Sequence, residues 1–325
     1  MPAKVVVIGS LNMDLVTRAS RLPRAGETLI GQTFSTVPGG KGANQAVASA
    51  RLGADVAMIG CVGTDAYGTQ LRDALLVEGI DCQAVSSVDG SSGVALIVVD
   101  DSSQNAIVIV AGSNGELTPA SLQLADSVLQ AADVIVCQLE VPMDTVGHAL
   151  KRGRELGKTV ILNPAPASGP LPAEWYASID YLIPNESEAG ALSGVTVDSL
   201  DSAKVAATQL IKAGAGKVII TLGAQGALFA DGNGFEHLVA PKVKAVDTTL
   251  PVTPSWVVLP PRSPTVKAKP KPFALVRSPQ RCRSLAPARN PLSLYCRTFK
   301  VLYPHEKDTS AQYRPVARDR VPRSW

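Results

Sequence analysis

The residues of this chain best suited to chemistry are short clusters of acids, amides and glycines set tens of residues apart. The densest is Gly39-Gly40-Lys41-Gly42-Ala43-Asn44-Gln45, a glycine-rich turn that runs into a small-residue, helix-like stretch ending near Gly53. Glycines let backbone approach a ligand closely, because no Cβ intervenes and positive φ is accessible. Lys41 and Asn44 then stand beside a helix N-terminus, where free N–H groups and the dipole favour an oxygen-rich or anionic partner. A glycine turn leading into a buried alanine-rich helix fits the same residues, so the remaining clusters must decide.

Those clusters share one placement. Asn12 and Asp14 follow the apolar run Val5-Val6-Val7-Ile8, Gln138 and Glu140 follow Val134-Ile135-Val136-Cys137, and Asn163 follows Thr159-Val160-Ile161-Leu162. Asn185 to Glu188 follow Tyr181-Leu182-Ile183, and Gly223 to Gly226 follow the run from Lys217 to Leu222. Each apolar run reads as a buried parallel strand, and helix-length segments separate them. This is the pattern of an α/β doubly wound parallel sheet, in which ligands bind outside the carboxyl ends of the strands. Any one cluster could be a turn or a helix cap. Acids and amides at several strand ends fit a hydroxyl-rich ligand better than an apolar one.

Two regions fall outside the alternation. Residues 15–37 hold short strand-like pieces broken by Pro23, Gly26 and Gly31. Residues 93–111 read as a hairpin around Asp100-Asp101-Ser102-Ser103-Gln104-Asn105. Together they could build a small accessory sheet.

Charge divides the chain differently. Residues 1–249 carry 16 Lys+Arg against 25 Asp+Glu, a net of −9, whereas residues 250–325 carry 15 against 3, a net of +12. All 27 glycines lie at or before Gly234, and 13 of the 24 prolines lie after Thr249. The two parts do not read as one domain. Cys61, Cys82, Cys137, Cys282 and Cys296 form no CxxC pair, which fits a reducing cytoplasm better than a disulfide frame or a zinc site. No apolar run approaches the roughly 20 residues of a membrane span.

From residue 4 to 249 the clusters, in this order, resemble the ribokinase-like (pfkB-type) sugar kinase family. Gly9-Ser10-Leu11-Asn12-Met13-Asp14 is similar to its first sugar-binding turn and Gly39 to Ala46 to its glycine signature. Gln138-Leu139-Glu140, Asn163-Pro164-Ala165-Pro166, Asn185-Glu186-Ser187-Glu188, Thr221 to Gly226 and Val246-Asp247-Thr248-Thr249 complete the series. The resemblance implies a doubly wound sheet with a small β-sheet lid, and ATP-dependent phosphorylation of ribose. It implies a sugar site of Asn12, Met13, Asp14, Gly39, Gly40, Lys41, Gly42, Asn44 and Glu140. Asn185 and Glu188 would lie near nucleotide phosphates and Mg²⁺, and Thr221, Leu222, Gly223, Ala224, Gln225 and Gly226 would border ATP. Asp247 and Thr249 would begin a monovalent-cation loop for K⁺. The lid would mediate a homodimer.

One element of the family pattern is missing. After Asp-Thr-Thr the family has a small-small-Gly-Asp motif that opens a helix, its amides forming an anion hole and its Asp acting as base. Here Leu250-Pro251-Val252-Thr253-Pro254-Ser255-Trp256-Val257-Val258 follows, with no glycine or aspartate and two prolines that oppose a helix. Loss of one base after the Thr249 codon accounts for this, because the segment can then be back-translated to Ala-Ala-Gly-Asp-Thr-Phe-Val-Gly-Gly. The single Trp codon forces the first glycine of the closing pair. Arg281 to Pro291 similarly permits Ala-Ala-Leu-Ser-Val-Thr-Arg-Ala-Gly-Ala-Gln. The expectation is therefore an out-of-frame, poorly ordered tail over residues 250–325 and an inactive chain. A basic tail that binds nucleic acid is the competing reading, opposed by the scattered prolines and the lack of a basic helix.

Overall fold

The computed structural model describes residues 2–102, 104–167 and 169–240, with the backbone of two further strands at 256–259 and 274–277. At the centre, β1 (Lys4–Ile8) pairs in parallel with β4 (Asp55–Gly63) on one side and β8 (Val134–Cys137) on the other. A strand buried on both faces needs apolar residues at every position, which explains the unbroken Val-Val-Val-Ile run. Val5 and Val7 point into one core and Val6 and Ile8 into the other.

Among the described residues the main sheet has nine strands. From β8 it continues through β9 (Thr159–Leu162), β10 (Tyr181–Leu182) and β11 (Lys217–Thr221), all parallel, and beyond β4 lies β5 (Val85–Val88). The sequence pattern predicts only parallel strands, but the β11 edge is closed by an antiparallel hairpin, β12 (Ala227–Asp231) and β13 (Gly234–Leu238). Its turn is set by Asp231, whose Oδ1 accepts from the N–H groups of Asn233 and Gly234.

Helices cover both faces. Helices α1 (Lys41–Arg51) and α2 (Ala66–Val77) supply Ala43, Ala46, Leu71 and Leu75 to the core that holds Val5 and Val7. The opposite core receives Leu122 from α3 (Pro119–Leu124), Leu129 from α4 (Asp126–Ala131) and Val146 from α5 (Met143–Glu155). Leu192 from α6 (Glu186–Ser193) and Leu210 from α7 (Leu200–Lys212) complete it.

A second, four-stranded sheet has the order β3 (Thr33–Gly39), β2 (Asn12–Arg18), β6 (Gly93–Val99), β7 (Asn105–Val110). Val16, Ala95, Ile97 and Val99 form its small core, and β7 is exposed along its whole length. The expected cation loop at Asp247 and Thr249 lies outside the described residues. So does residue range 250–325, apart from β14 (Trp256–Leu259) and β15 (Ala274–Arg277), which pair antiparallel.

Candidate active site

The polar clusters gather as the topology requires. Ser10 to Asp14, Gln138 to Glu140, Asn163, Asn185 to Glu188 and Gly223 to Gly226 all follow the C-terminal ends of neighbouring parallel strands. The N-terminus of α1 comes up against the first two of these.

At that N-terminus the leading N–H groups are not free for a ligand, which corrects the sequence expectation. Gly40, the residue before the helix, offers no side-chain cap. Instead Lys41 N donates to Glu140 Oε2 (3.0 Å), Gly42 N to Ser10 Oγ (3.3 Å) and Ala43 N to the Ser10 carbonyl (2.9 Å). Ser10 Oγ itself donates to Glu140 Oε2 at 2.5 Å. The carboxylate of Glu140 therefore occupies the positive end of the helix, with Lys41 Nζ 3.8 Å from its other oxygen.

The glycines also serve close packing. A Cβ at Gly42 would lie 2.6 Å from Ser10 N, and one at Gly40, where φ is 92°, would lie 2.8 Å from Ser10 O and Asn12 N. At Gly39 it would lie 2.4 Å from Asp14 Oδ2. The three glycines let the helix seat closely against the turn after β1 and against Asp14.

On β2 the side chains alternate. Asn12 and Asp14 share one face, while Met13 is directed to the other and packs among Leu11, Met58 and Val62. The Met13 side chain is therefore part of the core, and only its backbone is left to meet a ligand. Asp14 is only partly buried, yet desolvation pushes its carboxyl from 3.8 up to about 7, with Glu140 adding to the rise and Lys41 opposing it. Asn44 is exposed at the start of α1.

Beneath the site runs a chain of amides that the sequence did not single out as a network. Gln138 Nε2 donates to Gln45 Oε1 (2.6 Å), Gln45 Nε2 to Asn163 Oδ1 (3.1 Å) and Asn163 Nδ2 to the Ile183 carbonyl (2.8 Å). It ties α1 to the ends of β8, β9 and β10. Gln138 Oε1, fully buried and without a hydrogen bond among the described residues, lies against Gly9, where a Cβ would sit 1.9 Å away.

Asn185 and Glu188 cap α6 reciprocally: Glu188 N donates to Asn185 Oδ1 (2.7 Å) and Asn185 N to Glu188 Oε2 (2.9 Å). Burial raises the Glu188 carboxyl, while the Asn185 N–H and the Lys41 charge pull it down. The ammonium of Lys41 is thus felt at both Asp14 and Glu188, which links the two halves of the site.

After β11, Thr221 and Leu222 are buried, and Leu222 belongs to the core, so it can meet a ligand only through its backbone. Gly223, Ala224 and Gln225 form one exposed turn. Leu222 N donates to the Gly226 carbonyl at 2.8 Å, and Gly226, at φ 98°, lies against the Leu238 carbonyl, which a Cβ would approach to 1.9 Å. At Gly223, with φ of 51°, the nearest atom to a Cβ is Glu186 Oε1 at 3.9 Å. This open backbone leaves room for a nucleotide. Among the described residues no group of three or more His, Cys, Asp or Glu gathers as a metal site. Glu186 and Glu188 suit a Mg²⁺ that draws most of its oxygens from water and phosphate.

The family profile described as pfkB family carbohydrate kinase matches residues 2–249. Ribokinase of Schizosaccharomyces pombe is 42% identical over 259 residues, covering 75% of this chain and 80% of that protein. Deoxyribokinase of Salmonella typhi is 40% identical over 246 residues, with 75% and 80% covered. Among solved structures, Arabidopsis thaliana ribokinase complexed with ribose and ATP superposes with a TM-score of 0.69 at 31% identity, covering 77% of this chain and 82% of that one. With a family match over most of its length and the same sheet architecture as its solved relatives, the chain belongs to the pfkB family of carbohydrate kinases.

Proposed function

We propose that the chain carries the sugar and nucleotide sites of an ATP-dependent ribokinase, which moves the γ-phosphoryl group of ATP to the primary hydroxyl of D-ribose, giving ribose 5-phosphate. The observation that carries the reading is the pairing of Asn12 and Asp14 on one face of β2, within electrostatic reach of Lys41 and Glu140. Carboxylates accept and amides donate, so together they suit a vicinal diol, each of whose hydroxyls does both.

Asn12, Asp14, Gly39, Gly40, Lys41, Gly42, Asn44 and Glu140 form the sugar side of this reading. The turn from Thr221 to Gly226 receives ATP, with Glu188 near Mg²⁺, and Asp247 and Thr249 belong to the K⁺ loop. Mg²⁺ would neutralise charge on the transferred phosphoryl group. The four-stranded sheet acts as a lid that excludes water. Its exposed apolar residues, Phe34, Ile107 and Val108 among them, support a homodimer formed through the lid. The cellular setting is cytoplasmic.

The chain as written lacks the base. We infer a frame shift after Thr249, supported by the charge break and by the family match ending at residue 249. Loss of a general base alone lowers the rate about 10²- to 10⁴-fold. A second reading, phosphorylation of 2-deoxyribose, rests on the near-equal identity to a deoxyribokinase. Other sugars or nucleosides, or a binding remnant without turnover, belong to the same test. An ATP-coupled assay would offer D-ribose and 2-deoxy-D-ribose to this chain and to an in-frame restored version. Ribose turnover by the restored protein, at least about 10²-fold above this chain, is expected. Equal turnover by the two refutes the frame-shift reading, and exclusive use of deoxyribose refutes the ribokinase one.

A further inference from the structure

Asn114 lies in a short 3₁₀ turn, Gly112–Glu116, just after the last strand of the small sheet, and is 1% exposed. Its carboxamide grips the backbone of Leu11 at both ends. Leu11 N donates to Asn114 Oδ1 (2.8 Å), and Asn114 Nδ2 donates to the Leu11 carbonyl (3.1 Å). This double contact fixes which end of the amide is nitrogen, because a reversed amide would set donor against donor and acceptor against acceptor. The same Nδ2 reaches the Asn12 amide at 2.7 Å. A donor there requires an acceptor, so the atom of Asn12 facing it is Oδ1.

Gly93, the first residue of β6, closes over this hydrogen bond. A Cβ at that position would lie 2.1 Å from Asn114 Nδ2 and 2.2 Å from Asn12 Oδ1. Asn12 opens β2, Gly93 opens β6 and Asn114 follows β7, so three roots of the small sheet meet at one contact. With Oδ1 held inward by Asn114 and covered by Gly93, Asn12 presents the N–H groups of Nδ2 to a ligand.

We propose that Asn114 is a positioning residue of the sugar site, holding Asn12 as a hydrogen-bond donor beside the acceptor Asp14. The inference rests on the sugar-site reading above. Asn114 touches no ligand itself and acts through Asn12. Its effect on binding must therefore vanish when Asn12 is removed.

The test is a double-mutant cycle on the full 325-residue chain, with D-ribose binding followed by calorimetry. N114A is expected to weaken binding about 5-fold in the unaltered chain, the scale of one neutral hydrogen bond, and less than about 2-fold in N12A. Equal losses in both backgrounds indicate a merely structural role and overturn the proposal, as does unchanged binding by N114A. If N114A shows no cooperative thermal transition, N114D keeps an acceptor for Leu11 N and turns the Asn12 amide around. It is then expected to bind ribose as weakly as N12A, and binding like the unaltered chain overturns the proposal. A ligand-free measurement separates this from the sugar reading. The Asn114 side-chain N–H signals, identified by their loss in N114A, are expected to exchange slowly with solvent, and rapid exchange overturns the contact. Absence of ribose binding by the unaltered chain, with slow exchange intact, instead refutes the sugar-site reading.

Discussion

Replacing Asp14 with asparagine should stabilise the protein at alkaline pH and weaken the proposed binding of sugar at the same time. Burial raises the Asp14 carboxyl from 3.8 to about 7, reinforced by Glu140 and opposed by Lys41. Because the folded value exceeds the unfolded one, the folded protein holds a proton that the unfolded chain releases from about pH 4 upward. Stability from this group is thus full below the unfolded value and falls as pH rises, until the folded carboxyl ionises near 7. About three pKa units at ~1.4 kcal/mol each bound the loss near 4 kcal/mol. Asp14 is only partly buried, and solvent screening brings the expected figure to about 2–3 kcal/mol.

D14N carries no such cost. It should exceed the unaltered chain by about 1 kcal/mol at pH 5 and by about 2–3 kcal/mol at pH 8, where the rise in Tm is roughly 4–10 °C. Thermal melts and urea titrations at pH 5, 6, 7 and 8 read the difference directly. A stability difference that stays constant across this range refutes the assignment of a desolvated, proton-holding carboxyl. Ribose affinity should fall in the opposite sense, because D14N loses a charge-assisted hydrogen bond to a hydroxyl, roughly 10-fold or more. For the unaltered chain, affinity should rise from pH 6 to 8 as the carboxylate forms.

Three further outcomes follow from the same geometry. G42A places a methyl group 2.6 Å from Ser10 N and should cost about 2–3 kcal/mol; an unchanged urea midpoint would show that the turn after β1 yields more easily than its packing implies. S10A removes the donor to Glu140 Oε2 and the acceptor for Gly42 N together. It should lower stability by about 1–3 kcal/mol and weaken ribose binding, and calorimetry that finds affinity unaltered sinks the claim that Ser10 holds Glu140 in place. In the in-frame restored protein, changing the regained aspartate to asparagine should cut turnover about 10²- to 10⁴-fold with little change in ribose affinity. A matching loss of affinity there would contradict its role as a base.

The strands and their order of function were legible because a doubly buried strand must be apolar at every position, and the polar residues after it then have one place to go. Lys4–Ile8, Val134–Cys137 and Thr159–Leu162 are of this kind. The β12–β13 hairpin was not legible, since Phe235, Glu236 and His237 on its outer strand are all exposed and carry no burial signal. The burial of the Met13 and Leu222 side chains was not legible because a motif names consecutive residues while a strand, or a strand end, turns every other side chain into the core. The α1 terminus was misread for a related reason. Sequence shows which N–H groups a helix leaves unpaired, but Glu140 is 99 residues away from Lys41 and only the parallel pairing of β1 with β8 brings it there. Asn114 carried no signal at all, since its partners lie 102 and 103 residues earlier.

These contacts bear on what survives beyond the family break. Ser10, Lys41 and Glu140 hold one another, Asn114 holds Leu11 and Asn12, and the amides of Gln138, Gln45 and Asn163 join α1 to the Ile183 carbonyl. Every donor and acceptor named here precedes Leu250 in the chain. Phosphoryl transfer also needs a base and an anion hole, neither of which these residues supply. Under the proposed function, recognition and chemistry depend on separate stretches of sequence, and a chain that keeps only the first should bind sugar with a near-normal pH dependence through Asp14 while failing to turn it over. Loss of binding in proportion to loss of turnover would mean that the segment after Thr249 shapes the sugar site as well, against the self-contained hydrogen bonding of Ser10, Asn12 and Glu140.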